Sequence, residues 1–363
     1  MKKIFFIAGG GTGGHIFPAI AIAEELKRKF PDCQIIFFGA LGKMEMTKIP
    51  EYGYTIIGLP MVGFNRKKIW ANWVLPFKIL ESFITLKKEF KKHKPNAVFG
   101  VGGYSTFPVL VFAQFLKIPN FIHEANAYPG KANIWLGKRT TLSFGGFENL
   151  KKFFPKNRFV YSGNPLRSNI TNQSKSQKQT LESFQLNPNN KTILIVGGSL
   201  GAQSFNQFMD THLNELIHRK LNIIWQVGEQ NKHLVDKYQH VAINQLWIGK
   251  FINNMYDAYT SADLVISRAG ALAVFELIYL KKPTIFIPFP FATENHQYEN
   301  AKEIVQKGGA FLIENKDINN SLLAKIDQVI SDPQMLETMK QNLNKIVLPN
   351  ATEIIVNSCE TYF

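Results

Sequence analysis

Short apolar runs alternate with longer helical patterns along the whole chain, and this alternation constrains the fold more than any other feature. The runs are rich in Val, Ile and Phe without polar alternation, which is typical of parallel strands buried on both faces. They cover residues 4–8, 34–38, 55–59, 97–101, 120–123 and 159–162, and then 192–196, 222–227, 245–249, 264–267, 284–287 and 310–313. Because helices join these strands, right-handed crossovers are required and the sequence predicts doubly wound α/β sheets.

A polar segment divides the runs into two similar halves. Residues 168–191 are rich in Asn, Gln, Ser and Lys, which indicates an exposed connection with one weak helix. We therefore expect two Rossmann-like domains in tandem, over residues 1–165 and 166–363. A helical pattern after Pro333 leads to a final amphipathic segment. That final helix could dock on either domain, including back on the first.

The net charge is distributed unevenly between these halves. The chain carries 42 Lys and Arg against 27 Asp and Glu, a formal charge of +15. Residues 1–165 hold 24 Lys/Arg and 9 Asp/Glu, a net charge of +15. Residues 166–363 hold 18 Lys/Arg and 18 Asp/Glu, so their net charge is zero. The first half is expected to face an anionic partner. Composition alone leaves open whether that partner is nucleic acid, an anionic membrane surface or an acidic substrate.

Cysteine count and hydropathy exclude several classes of protein. Two cysteines, Cys33 and Cys359, are too few for a disulfide scaffold or a cysteine metal cluster. The longest apolar runs, such as 107–112 and 283–291, fall short of the about 18–20 residues that a membrane span needs. The first apolar stretch ends at glycines, which predicts a buried strand and not a signal peptide. We expect a soluble cytosolic protein.

Glycine-rich turns follow strands in both halves, at 9–14, 102–103 and 197–201. Glycine allows positive φ and close approach of a ligand, and the helix after such a turn offers N–H groups to anions. The first turn fits the spacing Gly-x-Gly-x-x-Gly, but no carboxylate ends the second strand, as dinucleotide binding would require. No Lys-Ser/Thr pair follows, which excludes a Walker A loop. Because ligands bind at the carboxyl ends of strands, these turns predict phosphate-binding sites in both halves.

Motifs along the whole chain carry a family resemblance. They are GGTGGHIFPA at 10–19, GGY at 102–104, HEAN at 123–126, GNPLR at 163–167, GGSLGA at 197–202, SRAGA at 267–271 and NHQ at 295–297. Together they resemble the MurG family of bacterial N-acetylglucosaminyltransferases of peptidoglycan synthesis. The resemblance implies a GT-B fold, in which two Rossmann-like domains face a cleft. It also implies inverting transfer of GlcNAc from UDP-GlcNAc to the C4 hydroxyl of MurNAc in lipid I, giving lipid II and UDP.

The resemblance further implies which residues hold the donor. These are Thr12, Gly13, Gly14, Asn126, Arg167, Ser199, Ile252, Ala271, Leu272, Ala273, Val274, Phe275, Glu276 and Gln297. Ser199 and Arg167 would contact the diphosphate or the nearby sugar, and Glu276 would bind the ribose hydroxyls unless it faces solvent. The backbone of Ile252 would read the uracil edge. Gln297 and Asn126 would bind GlcNAc.

Two of these positions depart from the family pattern. Ala273 and Phe275 stand where other members often carry Thr and Ser, so only packing or backbone roles are expected there. The sequence contains no Asp-x-Asp pair, and we expect neither a tightly bound metal nor another cofactor. Backbone N–H groups, helix dipoles, hydroxyls and Arg would stabilise the leaving diphosphate instead.

His15 is the first candidate for the general base, and Glu124 is its rival. His15 directly follows the first glycine turn, at the start of a predicted helix. An imidazole with an ordinary pKa of about 6.5 is largely neutral at pH 7 and can accept a proton. Glu124 lies near the carboxyl end of a predicted strand and could do the same.

Residues 64–94 combine basic and aromatic side chains. The segment holds nine Lys/Arg and two Glu, and its apolar residues recur near helical spacing. Trp beside Lys or Arg is typical of membrane-interface segments. We expect Lys67, Lys68, Trp70 and Trp73 to face the lipid, although the same pattern also fits a core-facing helix with a solvated basic face.

The resemblance gives this surface a partner. Lipid I stays anchored in the bilayer, so the chain is expected at the cytoplasmic face of the bacterial inner membrane, as a peripheral protein. UDP-GlcNAc, lipid I, the anionic membrane surface and other cell-wall synthesis proteins are the implied partners, and nucleic acid is not among them. Two other functions fit less well: a basic nucleic-acid-binding protein, which lacks a binding motif, and a UDP-GlcNAc epimerase on the same fold.

Overall fold

The computed structural model describes residues 2–61, 69–241 and 244–363. The chain forms two compact units. The first comprises Met1–Arg167 together with Pro349–Phe363, and the second comprises Ser168–Leu348. Each unit contains one parallel β-sheet covered by helices, so the predicted α/β class with two parallel-sheet domains is confirmed.

The first unit is built on a sheet of seven parallel strands. The strands are β1 (Ile4–Ala8), β2 (Gln34–Ala40), β3 (Thr55–Leu59), β4 (Ala97–Gly100), β5 (Asn120–Glu124), β6 (Leu142–Gly145) and β7 (Phe159–Tyr161). Their order is β3-β2-β1-β4-β5-β6-β7, so the winding direction reverses between β1 and β4. Ligands of doubly wound sheets bind at such a switch point, beyond the carboxyl ends of the strands.

Strand β6 is absent from the predicted runs. Its sequence is Leu-Ser-Phe-Gly, and the polar Ser143 interrupts the apolar pattern that marks the other strands. Ser143 is nevertheless fully buried, because its hydroxyl lies 3.0 Å from that of Thr140 and the two satisfy each other.

Helices pack on both faces of this sheet. They are α1 (Gly13–Lys29), α2 (Glu45–Glu51), α3 (Leu75–His93), α4 (Thr106–Phe115) and α5 (Lys131–Gly137), and a 3-10 helix (Ile69–Val74) precedes α3. Helix α1 buries Ile16, Ile20 and Leu26 on the side that faces the core, and Pro18 lies inside it.

The second unit has a sheet of six parallel strands in the order β10-β9-β8-β11-β12-β13. They are β8 (Thr192–Val196), β9 (Asn222–Gln226), β10 (Leu246–Gly249), β11 (Leu264–Ser267), β12 (Thr284–Phe286) and β13 (Ala310–Leu312). All six coincide with predicted runs. The switch point lies between β8 and β11.

The helices of the second unit follow its strands. They are α6 (Ser168–Thr171), α7 (Gln177–Ser183), α8 (Gln203–His218), α9 (Lys232–Tyr238), α10 (Met255–Ser261), α11 (Ala271–Tyr279), α12 (His296–Gln306), α13 (Ile318–Ile330) and α14 (Pro333–Asn344). Trp225, Phe205 and Phe208 are among its largest fully buried side chains.

The last helix, α15 (Ala351–Cys359), belongs to the first unit, so the second unit ends at residue 348 and not at 363. Ile355 and Val356 of α15 are buried in the core that α1 covers. The ring of Phe363 packs against Phe5 at 4.8 Å between ring centres, and Lys3 Nζ donates to the Phe363 carbonyl group at 3.2 Å. Apolar burial at the chain end therefore ties residues 349–363 to the first sheet.

Candidate functional site

The first glycine turn lies at the switch point of the first sheet. It joins β1 to α1, and the loop after β4 packs directly against it, since Gly10 N donates to Gly102 O at 3.2 Å. Thr106 Oγ1 accepts from Gly102 N at 3.1 Å and lies 3.0 Å from Ala8 O, which fastens the two strand ends together. A side chain at Gly103 would come within 2.2 Å of Gly10 O, so the close approach requires glycine.

His15 is half-buried at the start of α1, directly beyond this turn. Its Nδ1 lies 3.1 Å from the carbonyl oxygen of Gly10. A carbonyl oxygen can only accept, so in the neutral ring Nδ1 carries the hydrogen and Nε2 carries the lone pair. A Cβ at Gly102 would lie 2.6 Å from the ring, so glycine also makes room for the imidazole. This arrangement can accept a proton at Nε2.

Glu124, the rival base, ends β5 and is only 3 % exposed. Its Oε1 accepts from the backbone N–H of Asn126 at 3.0 Å and from the Asn126 side chain at 3.2 Å. Its Oε2 accepts from Gly130 N at 3.2 Å and from Asn133 Nδ2 at 2.7 Å. Four hydrogen bonds occupy the lone pairs of this carboxylate, which organises the loop after β5. Sequence reasoning missed Asn133, a donor nine residues away.

His123 lies beside Glu124 on β5 and faces the protein interior. Its Nε2 is 3.1 Å from Gly163 O. Burial lowers its pKa to about 4, so the ring is neutral at pH 7 and binds protons too weakly to serve as a base there.

Three further predicted donor contacts, Thr12, Gly13 and Gly14, lie where α1 begins. Thr12 is exposed, and its carbonyl accepts from His15 N and Ile16 N in the first turn of the helix. Arg167, at the end of the first unit, stacks over the Phe17 ring at 4.9 Å, which places this guanidinium close to the same helix. The structure thus brings Thr12, His15 and Arg167 to one part of the first unit.

The switch point of the second sheet carries another glycine turn, residues 197–202, between β8 and α8. Gly198, Ser199 and Leu200 are exposed, and the first helical N–H groups of α8 follow them. Gly201 N donates to Gly198 O at 2.9 Å, which closes the turn. Exposed N–H groups at the start of a helix favour an anion, so this turn can bind a phosphate group.

Gly201→Ala is expected to destabilise this unit strongly. Gly201 has φ +77°, and an added Cβ would lie 2.1 Å from Val227 O on the neighbouring loop. The left-handed backbone and the clash together should cost roughly 3 kcal/mol, or about 6–12 °C in the thermal midpoint. Gly198→Ala is the matched control, since its φ of +89° is also positive but nothing lies within 4 Å of the added atom. Equal midpoints for the two variants would contradict the steric account.

Arg268 belongs to the SRAGA motif at 267–271, and the sequence predicts no role for it. Its guanidinium is largely buried and donates to Ile287 O, Pro288 O and Ser204 Oγ, each at 3.0 Å. Burial lowers the pKa of Arg268 to about 10, which leaves it charged at pH 7. The residue therefore joins the first turn of α8 to the loop after β12. Partners this far apart in sequence leave no local pattern.

Glu276 lies on α11, which begins at Ala271 just beyond β11. It is 1 % exposed, so the solvent-facing alternative is excluded. Among its predicted neighbours on this helix, four are buried and Ala273 is half-buried; the buried ones are Ala271, Leu272, Val274 and Phe275. A carboxylate on a buried, largely apolar helix has to be satisfied by hydrogen bonds.

Gln226 and Gln297 hold the remaining loops at this edge. Gln226, at the end of β9, donates from Nε2 to Gly198 O at 2.8 Å and accepts from Ile252 N at 2.8 Å. The N–H of Ile252 is thus already used, so its carbonyl is the backbone group left for a nucleobase. Gln297 Oε1 accepts from Phe289 N at 2.9 Å. Sequence reasoning missed Gln226, which ends the strand directly after the apolar residues Ile223, Ile224 and Trp225.

The predicted residues therefore fall into two groups, one in each unit. His15, Glu124, Asn126 and Arg167 lie in the first unit, and Ser199, Ile252, Glu276 and Gln297 in the second. Within the described ranges, no group of three or more His, Cys, Asp or Glu side chains is arranged to hold a metal ion.

Known proteins resemble the chain in both halves. Residues 5–144 match the glycosyltransferase family 28 N-terminal domain, and residues 192–353 match the glycosyltransferase family 28 C-terminal domain. A relative from Flavobacterium psychrophilum is 40% identical over 353 residues, which is 97% of this chain and 96% of the relative. A relative from Bacteroides fragilis is 39% identical, and the alignment covers 96% of this chain and 93% of the relative. Both are named UDP-N-acetylglucosamine–N-acetylmuramyl-(pentapeptide) pyrophosphoryl-undecaprenol N-acetylglucosamine transferase.

Solved structures agree with this assignment. The crystal structure of Acinetobacter baumannii MurG is 29% identical, with a TM-score of 0.74 over 99% of this chain and 100% of its own. A UDP-N-acetylglucosamine 2-epimerase shares the fold alone. It is 16% identical, with a TM-score of 0.66, and the match covers 100% of this chain and 97% of the epimerase chain. The two domain matches together span most of the sequence, and the chain belongs to glycosyltransferase family 28.

Proposed function

We propose that the chain transfers GlcNAc from UDP-GlcNAc to the MurNAc unit of MurNAc-pentapeptide pyrophosphoryl-undecaprenol, lipid I, and releases UDP. The observation that carries this proposal is the 40% identity, over 97% of the chain, to a relative named for that transfer. The product is lipid II, and the step belongs to peptidoglycan synthesis.

The neutral second unit holds the donor. The diphosphate lies at the exposed turn 197–202, where Ser199 and the first N–H groups of α8 stabilise the negative charge that grows as UDP leaves. Glu276 binds the ribose hydroxyls, and the carbonyl of Ile252 reads the base. Gln297 contacts the sugar. No metal is required for these contacts, since N–H groups, hydroxyls and dipoles supply the stabilisation.

His15 is the general base of the proposed reaction. The C4 hydroxyl oxygen of the acceptor attacks C1 of GlcNAc, the bond from C1 to the phosphate oxygen breaks, and the hydroxyl proton passes to His15 Nε2. Attack opposite the leaving group inverts the configuration at C1. The tautomer set by Gly10 O supports this role, and the four hydrogen bonds on Glu124 argue against its use as the base.

Acceptor-dependent transfer is the direct test of the function. The purified protein is incubated with radiolabelled UDP-GlcNAc and a water-soluble lipid I analogue, and the products are separated by chromatography. We expect a disaccharide product and an equal amount of UDP, both dependent on the acceptor. Epimerised sugar without transfer would instead identify an epimerase, and UDP release independent of acceptor would also refute the proposal.

An exposed apolar surface on the first unit is the proposed membrane contact. Large side chains protrude along the 3-10 helix and α3: Trp70 is 77%, Trp73 70% and Phe77 65% exposed, with Leu80 and Ile84 also exposed. Lys87 and Lys88 on the same helix are exposed as well, while Lys67 and Lys68 lie outside the described residues. Among described residues, no helix is long and apolar enough to span a bilayer. The surface supports peripheral binding at the cytoplasmic face of the inner membrane.

Replacing both Trp70 and Trp73 with alanine is expected to weaken binding to anionic vesicles. Each indole contributes about 1–1.5 kcal/mol when half its surface enters the interface, so the pair accounts for roughly 30- to 150-fold in affinity. Co-sedimentation with phosphatidylglycerol-containing liposomes measures the change. Phe291→Ala, which removes an 83% exposed ring from the second unit, is the control and should bind like the wild type. Unchanged binding by the double variant would place the membrane contact elsewhere.

A further inference from the structure

Glu45 is a buried carboxylate for which neither the sequence motifs nor the proposed reaction has a use. It is the first residue of α2 and is 1 % exposed. Its Oε2 accepts from the backbone N–H of Gly11 at 2.7 Å, and its Oε1 accepts from the backbone N–H of Ala40 at 3.0 Å. The two N–H donors offset the cost of burying a charged carboxylate. The 2.7 Å hydrogen bond from Gly11 N has the length typical of a charge-assisted one.

The glycine turn is shaped around this side chain. A Cβ at Gly10 would lie 2.2 Å from the Glu45 carboxyl carbon, and one at Gly39 would lie 2.6 Å from its Cγ. Gly11, whose N–H donates to the carboxylate, has φ +87°, a left-handed conformation that favours glycine. Glycine at 10 and 11 therefore lets a carboxylate approach the backbone from behind the turn. In the first unit, part of the turn's hydrogen-bonding capacity is already occupied by an anionic side chain.

One peptide group joins Glu45 to His15. The N–H that donates to Glu45 Oε2 belongs to Gly11, and the carbonyl that accepts from His15 Nδ1 belongs to Gly10. These two groups are the two ends of the single peptide unit between residues 10 and 11. A carboxylate on the N–H end makes the carbonyl end a stronger acceptor, because hydrogen bonds in a chain polarise one another.

We propose that Glu45 is a positioning residue for His15, acting through the Gly10–Gly11 peptide group; the kinetic part of this proposal rests on the proposed function. The arrangement resembles the carboxylate–imidazole pair of hydrolases, with one peptide inserted between the two groups. Glu45 fixes the peptide plane, the peptide carbonyl fixes the tautomer and orientation of the ring, and the proton is accepted at Nε2. Glu45 itself accepts no proton in the step.

The same relay stabilises charge as the reaction proceeds. When the acceptor hydroxyl loses its proton to Nε2, the ring becomes an imidazolium and its Nδ1–H donates more strongly to Gly10 O. The peptide dipole then places its N–H end against the negative Glu45. The interaction is stronger in the transition state than in the resting enzyme, which is the condition for a contribution to kcat.

Glu45→Gln is the test variant, since it keeps the size of the side chain. An amide oxygen can still accept from one N–H, but its NH₂ group must then face the other N–H donor. We expect kcat to fall about ten- to a hundredfold and KM for UDP-GlcNAc to stay within about twofold. Glu51→Gln is the matched control, because Glu51 ends the same helix, is exposed and pairs only with Lys48 among the ion pairs described. It should match the wild type.

Two measurements separate positioning from general support of the fold. In a His15→Ala background, Glu45→Gln should cause little further loss of kcat, because Glu45 acts through the missing ring; a full additional loss overturns the proposal. Glu45→Asp, which keeps the charge but is too short to reach both donors, should recover part of the activity if Gln does not fold. A folded Glu45→Gln variant with kcat within twofold of wild type also overturns it.

A spectroscopic readout is independent of the reaction. With ¹⁵N-labelled histidine, and His15 assigned by the spectrum of His15→Ala, the wild type should show the tautomer protonated at Nδ1. Glu45→Gln should shift the His15 ring nitrogen signals, whereas Glu51→Gln should not. Unchanged signals refute the relay. If the wild type fails to transfer GlcNAc, the proposed function is refuted, and this spectrum still decides whether Glu45 acts on His15.

Discussion

His15→Ala is expected to lower kcat at least a hundredfold while leaving the affinity for UDP-GlcNAc within about twofold of wild type. General base catalysis typically contributes about 10²–10⁴-fold to the reaction rate, and the alanine variant has no imidazole to accept the hydroxyl proton. The donor contacts proposed here lie mainly on the second unit, so binding of the nucleotide sugar should be retained. Steady-state kinetics with the lipid I analogue and calorimetric titration with UDP-GlcNAc measure the two quantities.

The controls for this prediction use two other positions. His218→Gln removes an exposed histidine of α8 whose Nδ1 lies against Asn214 O, and its kinetics should match the wild type. Glu124→Gln should lower the thermal midpoint, because the amide cannot accept from all four donors of the loop. Near-normal turnover in His15→Ala, together with an inactive but folded Glu124→Gln, would transfer the role of base to Glu124.

The two sheets could be predicted because their strands are continuous apolar runs. Parallel strands are buried on both faces, so their composition records their environment directly. Strand β6 was missed because Ser143 interrupts its apolar pattern. The buried hydroxyl of Ser143 is satisfied by that of Thr140, and this contact could not be inferred from the sequence. The place of α15 was open for a related reason. The apolar face of an amphipathic helix predicts that this face is buried, but it does not indicate which of the two domains the helix packs against.

The candidate site was predictable where a residue adjoins a backbone motif. His15 follows the glycine turn directly, so its place at the strand ends could be inferred from the run 9–15. Glu45 could not, because its hydrogen bond to Gly11 spans 34 residues and forms only when α2 packs against β2 and β3. The same applies to Arg268, whose partners are backbone carbonyls 19 and 20 residues away. The sequence shows that no carboxylate ends β2. In the structure, however, the carboxylate of Glu45 at the start of the next helix, α2, reaches the glycine turn.

Glu276→Ala is expected to weaken UDP binding by about a hundredfold or more, with a smaller effect on kcat. A hydrogen bond from a hydroxyl to a charged carboxylate contributes about 1.5–3 kcal/mol, and two ribose hydroxyls are proposed to donate to this one. Together they supply at least about 3 kcal/mol, which corresponds to more than a hundredfold in the dissociation constant. Calorimetric titration with UDP measures the loss. Glu303→Ala, which removes an exposed carboxylate of α12 paired with Lys307, is the control and should bind UDP normally.

A comparison of UDP with 2′-deoxy-UDP shows whether Glu276 reads the ribose or only supports α11. The wild type should prefer UDP, because the deoxy nucleotide leaves the buried carboxylate one donor short. In Glu276→Ala no carboxylate remains to be satisfied, so the two nucleotides should bind with nearly equal affinity. A purely structural role predicts the opposite pattern: both affinities fall by the same factor and the preference for UDP survives. Because the comparison is made within one protein at a time, a general loss of stability cancels from the ratio, and the ratio alone decides.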